Sequence, residues 1–142
     1  MTRKRESSGV VAASRKKGYL YISVNGLTYV AHRLAWLYMT GKWPTVLIDH
    51  KNGDKMDNRF ANLREATYLQ NFWNRGKRSD NTSGYKGVSY NRKLKKYGAR
   101  VTVKKNGVTE HNHIGVFDTA EEAYEAYKKA ALEAFGEFAR IE

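Results

Sequence analysis

The chain contains no cysteine, which excludes disulfides, thiolate-ligated zinc and thiol catalysis. It has no apolar run approaching 18 residues, so no membrane span is expected. The start, Met1-Thr2-Arg3-Lys4-Arg5-Glu6, lacks the apolar stretch of a signal peptide. Acid is scarce: 14 Asp and Glu stand against 26 Lys and Arg, a formal charge of +12. At 142 residues the chain is one ordinary domain or two very small ones, so a large multi-lobed enzyme is excluded. What is present is enough to fold, since 41% of residues are hydrophobic and 13% aromatic. These bounds predict a cytoplasmic protein with a polyanionic partner, no membrane association and no obligate protein partner.

The charge is unevenly laid along the chain. Residues 1–80 carry fifteen basic and six acidic side chains, and residues 108–142 reverse the sign with three against eight. Between them, residues 84–107 hold Lys86, Arg92, Lys93, Lys95, Lys96, Arg100, Lys104 and Lys105 and no acid. A polar stretch with Gly and Ser, Arg75 to Gly84, has no apolar residue and reads as the seam between two small units. The expected organisation is a basic arm over 1–19, a first unit over 20–76, a linker over 77–83 and a second unit over 84–142. The expected class is α+β: a small ββα unit, then a three-stranded antiparallel sheet packed on one helix.

In the first unit, two β-rich runs, 19–24 and 27–30, flank Asn25-Gly26, the pair favoured in a type I′ hairpin. Ala31 to Thr40 has helical spacing and ends at Gly41. After the only proline, Pro44, the run 45–48 reads as a strand that delivers Asp49-His50 to its end. Lys51 to Asn62 is polar loop or ribbon, and Thr67-Tyr68-Leu69-Gln70 has the form of a capping box opening a helix.

The second unit shows β-like runs at 86–90, 97–105 and 108–117, the last two joined by Asn106-Gly107. Counting outward from that turn places Lys105 opposite Val108. Arg100, Thr102 and Lys104 then share a face with His113, His111 and Thr109, while Ala99, Val101, Val103 and Ile114 point the other way. A helix follows, with a capping box at Thr119-Ala120-Glu121-Glu122 and a stripe of Ala123, Tyr127, Ala130, Ala131 and Ala134 before Gly136. The polar, basic sheet face suits phosphates and groove edges: lysines and arginines for salt-sensitive affinity, and Arg100, Thr102 or His113 for base edges. The bland alternative is a solvated edge guarded against aggregation, but the lack of any acid there speaks for binding.

Chemistry concentrates around Asp49-His50, Asn52-Gly53-Asp54, Asn58, Asn62-Leu63-Arg64 and Asn71. A hard divalent cation on a nucleic acid needs oxygen ligands, with phosphate and water completing its shell. Asp49 offers a carboxylate and Asn71 an amide oxygen. His50, adjacent to Asp49 but on the opposite strand face, is an imidazole, a group whose unperturbed pKa near 6.5 suits it to take a proton from water. The expected cofactor is one divalent metal ion, Mg²⁺ or Mn²⁺.

At these residues a resemblance emerges. Tyr29 to Asn74 resembles the HNH endonuclease family of the ββα-metal type found in phage and intron homing endonucleases. The resemblance rests on His32-Arg33-Leu34, Asp49-His50, Asn62-Leu63-Arg64 and Asn71, the last standing where other members carry His. It implies His50 as general base, Asn62 as the central residue bracing the loop, and Asp49 with Asn71 as metal ligands. Ser83 to Ile141 is similar to the AP2/ERF DNA-binding domain through Gly84-Tyr85-Lys86-Gly87-Val88, Lys96-Tyr97-Gly98-Ala99 and the run Ile114 to Ala123. That family reads double-stranded DNA with its sheet, which implies Lys86, Arg92, Lys93, Lys95, Lys96, Tyr97, Arg100, Thr102, Lys104 and His113 as DNA-binding residues. Together the two likenesses describe a phage-type homing endonuclease. The runner-up is a non-catalytic DNA-binding regulator on an HNH scaffold, and a third reading is an RNA-binding protein.

Other conspicuous residues have plainer readings. His32 is expected to pack or hydrogen-bond structurally, with phosphate contact the alternative. His111 and His113 read as polar residues facing DNA rather than as metal ligands. Trp36 and Trp43 read as core, and Asp54 and Asp57 as loop formers. Arg3-Lys4-Arg5 and Arg15-Lys16-Lys17 are either basic arms on DNA or solvated tails.

Overall fold

Asn25 and Gly26 turn the chain with φ of 50° and 80°, the left-handed pair a type I′ hairpin demands and that Asn and Gly supply most cheaply. A computed structural model describes residues 12–105 and 107–141. The turn joins β2 (Tyr19–Val24) to β3 (Leu27–Val30), and β1 (Ala12–Lys16) pairs antiparallel with β2 to complete a three-stranded sheet. The expectation of a basic arm therefore needs correcting over 12–16, where the backbone is paired, Arg15 opposite Leu20 and Lys16 opposite Tyr19. Arg3-Lys4-Arg5 lies outside the described residues.

Helix α1 (Ala31–Thr40) follows directly and stops at Gly41, whose left-handed backbone (φ 71°) donates its N–H to Leu37 O at 2.8 Å. A two-stranded ribbon comes next, β4 (Leu47–His50) antiparallel to β5 (Leu63–Ala66). Asp49 and His50 thus lie inside β4, which starts two residues later than its apolar run suggested. Ile48 and Leu63 are buried on one face of the ribbon and Ala66 on the other.

The second unit starts earlier than the polar seam implied. The chain divides into compact units Met1–Thr67 and Tyr68–Glu142, so α2 (Tyr68–Trp73) is built with the second. The cause is aromatic: Trp73 stacks on Phe135 with centroids 4.9 Å apart and rings at 20°. Strands β6 (Val88–Asn91), β7 (Lys96–Lys105) and β8 (Val108–Phe117) form an antiparallel sheet in that order, covered on one side by α3 (Ala120–Phe135). Lys105 faces Val108, Lys104 Thr109, Thr102 His111 and Arg100 His113, as counting predicts. The Asn106-Gly107 turn falls partly outside the described residues. Beyond Arg100 a β-bulge shifts the register so that Ala99 faces Gly115.

Thr119 caps α3 reciprocally with Glu122: the Glu122 N–H donates to the Thr119 hydroxyl at 3.2 Å, and the Thr119 N–H donates to the Glu122 carboxylate at 3.3 Å. Ala123, Tyr124, Tyr127, Ala131 and Phe135 bury their side chains against Val88, Ala99 and Val101. Ala134, expected on that stripe, is exposed instead, because Tyr124 and Phe135 turn the buried face. Gly87 (φ 75°) lets the backbone reach the Tyr127 ring, where an added Cβ would lie 2.1 Å from a ring carbon. The architecture is mixed α+β: a small ββα-like N-terminal unit, and a three-stranded antiparallel sheet packed against a C-terminal helix.

Candidate active site

Strand alternation separates Asp49 from His50, and the pairing with β5 gives each a different neighbour: Arg64 lies opposite Asp49 and Leu63 opposite His50. Arg64 holds the Asp49 carboxylate through Nε and Nη2, both 3.0 Å from Oδ2. The two side chains are only 10% and 6% exposed, so the pair is desolvated and strongly mutually dependent. Arg64 stood in the sequence pattern without a role. Its function as counter-ion emerges only from the strand register.

His50 is 4% exposed. Its Nε2 lies 3.1 Å from Asn58 Oδ1. Asn58 in turn donates from Nδ2 to the Met56 carbonyl at 3.1 Å, and that bond fixes which end of the amide faces the imidazole. An amide oxygen only accepts, so in this contact Nε2 is the donor. The ring is anchored by a loop residue eight positions downstream, whose presence in a polar stretch was the only trace of it in the sequence.

The loop between the strands is held by Asn62. Its Nδ2 donates to Asn52 Oδ1 at 2.9 Å and to the Asp57 carbonyl at 2.8 Å, while its Oδ1 accepts from the Asn52 N–H at 3.1 Å. Lys51 N–H adds a backbone bond to Asn62 O. Asp54 caps Met56 N–H, and Asp57 binds Arg59 twice at 2.7 Å. Arg59 holds the Asp57 carboxyl well below the usual carboxylate range. Asp54 and Asp57 are thus loop formers, as expected from their setting.

His32, on α1, places its ring edge-to-face against His50 with centroids 5.0 Å apart, and Tyr19 lies 5.6 Å from His32 and 6.3 Å from His50. Lys55 Nζ sits over the Tyr19 ring at 4.6 Å. His32 is 8% exposed and its Nδ1 has no hydrogen-bond partner among the described residues. Burial first, then the charges of His50 and Arg33, holds its pKa down at about 4. It is therefore neutral at pH 7, and His50 gains no like charge from it. The core reading of the tryptophans holds less well: Trp36 packs on Phe60 at 5.3 Å, but Trp43 is 42% exposed, between Tyr29 and the Arg33 guanidinium.

The remaining expected site residues lie in the second unit. Asn71 is on α2. Arg92, Lys93 and Lys95 are exposed in the β6–β7 turn. Arg100 and His113 are exposed on one face of β7 and β8, with Lys104 and Thr102 partly buried there and the Thr102 hydroxyl 3.0 Å from His111 Nδ1. Three of the set are engaged elsewhere. Lys86 donates to the Trp73 carbonyl at 2.8 Å, Lys96 pairs with Asp118 at 2.9 Å, and Tyr97 turns to the apolar side, packing against the core.

No group of three or more His, Cys, Asp or Glu among the described residues forms a cage for a metal. The Asp49 carboxylate is a hard oxygen donor, the kind taken by a cation that keeps waters and draws its other ligands from substrate phosphate.

Residues 29–72 match the family described as HNH endonuclease, and this stretch of the chain carries an HNH endonuclease domain. Among relatives, the chain is 37% identical over 110 residues to an uncharacterized HNH endonuclease of Acanthamoeba polyphaga mimivirus, covering 76% of this chain and 54% of that protein. It is also 32% identical over 74 residues to Protein 3.8 of Escherichia phage T7, covering 51% of this chain and 61% of that protein. The chain thus spans a little over half the length of each of these relatives. No solved structure matches it. No helix of the described residues is long and apolar enough to cross a membrane.

Proposed function

We propose that this protein is a divalent-metal-dependent endonuclease that hydrolyses phosphodiester bonds of double-stranded DNA, with its catalytic centre in residues 20–76. The single observation that carries the reading is the buried Asp49-His50 pair on β4, inside the segment that matches the HNH family, with the His50 ring held by Asn58. The His50 imidazole takes a proton from the attacking water as that water adds to phosphorus. Asn58 holds the ring while its charge changes, and the neutral His32 leaves that new charge unopposed. Asn62 keeps the loop that presents Asn58 in one conformation. Asp49 would hold the metal, which would supply charge stabilisation at the phosphorane and the leaving oxygen.

The second unit is proposed as an AP2-like positioning module, its sheet face laid on DNA through Arg100, Thr102, Lys104 and His113 with Arg92, Lys93 and Lys95 on flanking phosphates. A phage-type homing role in a bacterial host cell follows from the pairing of the two functions. One observation favours the runner-up, a non-catalytic DNA-binding regulator: the Asp49 carboxylate is already engaged by Arg64 at 3.0 Å. Supercoiled plasmid incubated with Mg²⁺ or Mn²⁺, or with EDTA, decides between them. We expect nicked or linear product with metal only, and a loss of about 10³-fold in His50→Ala, the scale of a missing general base. Product in EDTA would remove the metal, and undiminished cleavage by His50→Ala would remove the base.

A further inference from the structure

The stretch read as a linker lines a groove of about 690 Å³ in the second unit. Its floor is apolar, with Trp73, Val88, Tyr127 and Phe135, and its rim is cationic: Arg75, Lys77, Arg78, Lys86 and Arg100 against a single acid, Asp80. We propose that segment 75–82, together with Arg100, is a second DNA-binding element that clamps the phosphodiester backbone of duplex DNA. The proposal rests on the reading of the protein as one that acts on DNA, and extends it to segment 75–82, to which that reading gave no role.

Three features point to a backbone and not to a small anion. The clamp's cations are carried by two separate pieces of chain, the irregular stretch 75–78 and strand β7. Arg100 and Thr102 line the groove and also belong to the polar sheet face, so the groove runs onto that face without a break. The rim cations also differ in readiness. Arg75 holds its guanidinium carbon over the Phe72 ring, 5.0 Å from the centroid, a cation–π contact that leaves N–H groups to meet phosphate oxygens. Lys77 gives one proton to the Gly84 carbonyl at 2.8 Å and keeps two. Arg78 is tied to Asp80 through two bonds of 2.8 and 2.9 Å, so its charge is largely answered until Asp80 is removed.

The test is the salt dependence of binding of a random-sequence duplex oligonucleotide to the full chain, measured by fluorescence anisotropy without metal so that cleavage plays no part. Each phosphate contact contributes about 0.9 to the slope of log affinity against log salt. The double variant Arg75→Ala/Lys77→Ala is expected to lower the slope by about 1 to 2, Arg75→Lys to keep it, and Asp80→Asn to steepen it by releasing Arg78. Arg75, Lys77 and Asp80 are exposed, so thermal melts should match the parent's. Lys104→Ala serves as the independent arm for the sheet. An unchanged slope in the double variant with a reduced one in Lys104→Ala overturns the clamp and leaves the sheet reading standing. Unchanged slopes in both overturn the clamp and the sheet together. Displacement of the duplex by single-stranded RNA as readily as by duplex DNA, lost in the double variant, overturns the choice of occupant.

Discussion

The interiors of the two units are made of different materials. In the second, Val88, Ala99, Val101, Ala123, Tyr124, Tyr127, Ala131 and Phe135 form a continuous apolar and aromatic cluster. In the first, the buried apolar side chains are Ala31, Ile48, Leu63 and Ala66, and beside them lie His32, Asp49, His50 and Asn62; the remaining buried polar side chain among the described residues, Asn74, is in the second unit. A buried polar group must find partners or lower stability. Asn62 and His50 find theirs in a loop, Asp49 in Arg64, while His32 Nδ1 has none among the described residues. An interior so composed gives up hydrophobic stabilisation that the second unit retains. The difference indicates that the second unit holds its shape through packing, whereas the first is arranged around buried polar groups and their partners.

That contrast can be broken at either end. In the first unit, Arg64→Ala breaks the ion pair of the buried Asp49 carboxylate, and the unit should lose about 3 kcal/mol; denaturant melts of parent and variant measure it, and a loss under about 1 kcal/mol would mean the pair is wetter than its burial implies. In the second unit, Gly87→Ala drives a Cβ into the Tyr127 ring and places alanine at positive φ, with an expected loss of about 3 kcal/mol. Cleavage by that variant, below its melting temperature, should stay near the parent's.

A pH effect sharpens the comparison further. His32 is held at about 4 when folded and returns to about 6.5 when unfolded. Between these values the unfolded chain takes up the proton first, so this contribution is intact above about pH 6.5 and is lost as pH falls toward 4. The expected loss is about 3 kcal/mol. His32→Gln should flatten that part of the stability profile in chemical denaturation, and a profile equally steep in parent and variant would contradict it. The smallest effect belongs to the second unit's helix: Thr119→Ala removes half of the capping box and should lower stability by about 1 kcal/mol.

Local signals carried much of the fold. Asn25-Gly26, Gly41 and the Thr119 box act within a few residues, so their elements were legible in the chain. Counting from one turn gave four cross-strand pairs of β7 and β8 correctly, then ended at the bulge, since an extra residue on one strand leaves no mark in hydrophobic alternation. Strands β1 and β5 were missed for another reason. Ala12-Ala13-Ser14-Arg15-Lys16 and Leu63-Arg64-Glu65-Ala66 have little β character, and their partners make them strands. Likewise Asp49, His50 and Asn62 stood out by type and spacing, but the Arg64 counter-ion, the Asn58 bond and the ring contact with His32 exist only once β4 meets β5 and α1 folds back.

The most direct test of the central claim, that the first unit's buried polar side chains serve chemistry at some expense of stability, is a paired measurement on His50→Ala: single-turnover cleavage of a DNA site and unfolding free energy on the same preparation. The account predicts cleavage down by about 10³-fold with a stability change of about 1 kcal/mol or less, because the imidazole lost was a desolvated polar group and little apolar packing goes with it. Cleavage retained while stability falls by several kcal/mol would contradict it, and would make His50 a part of the scaffold.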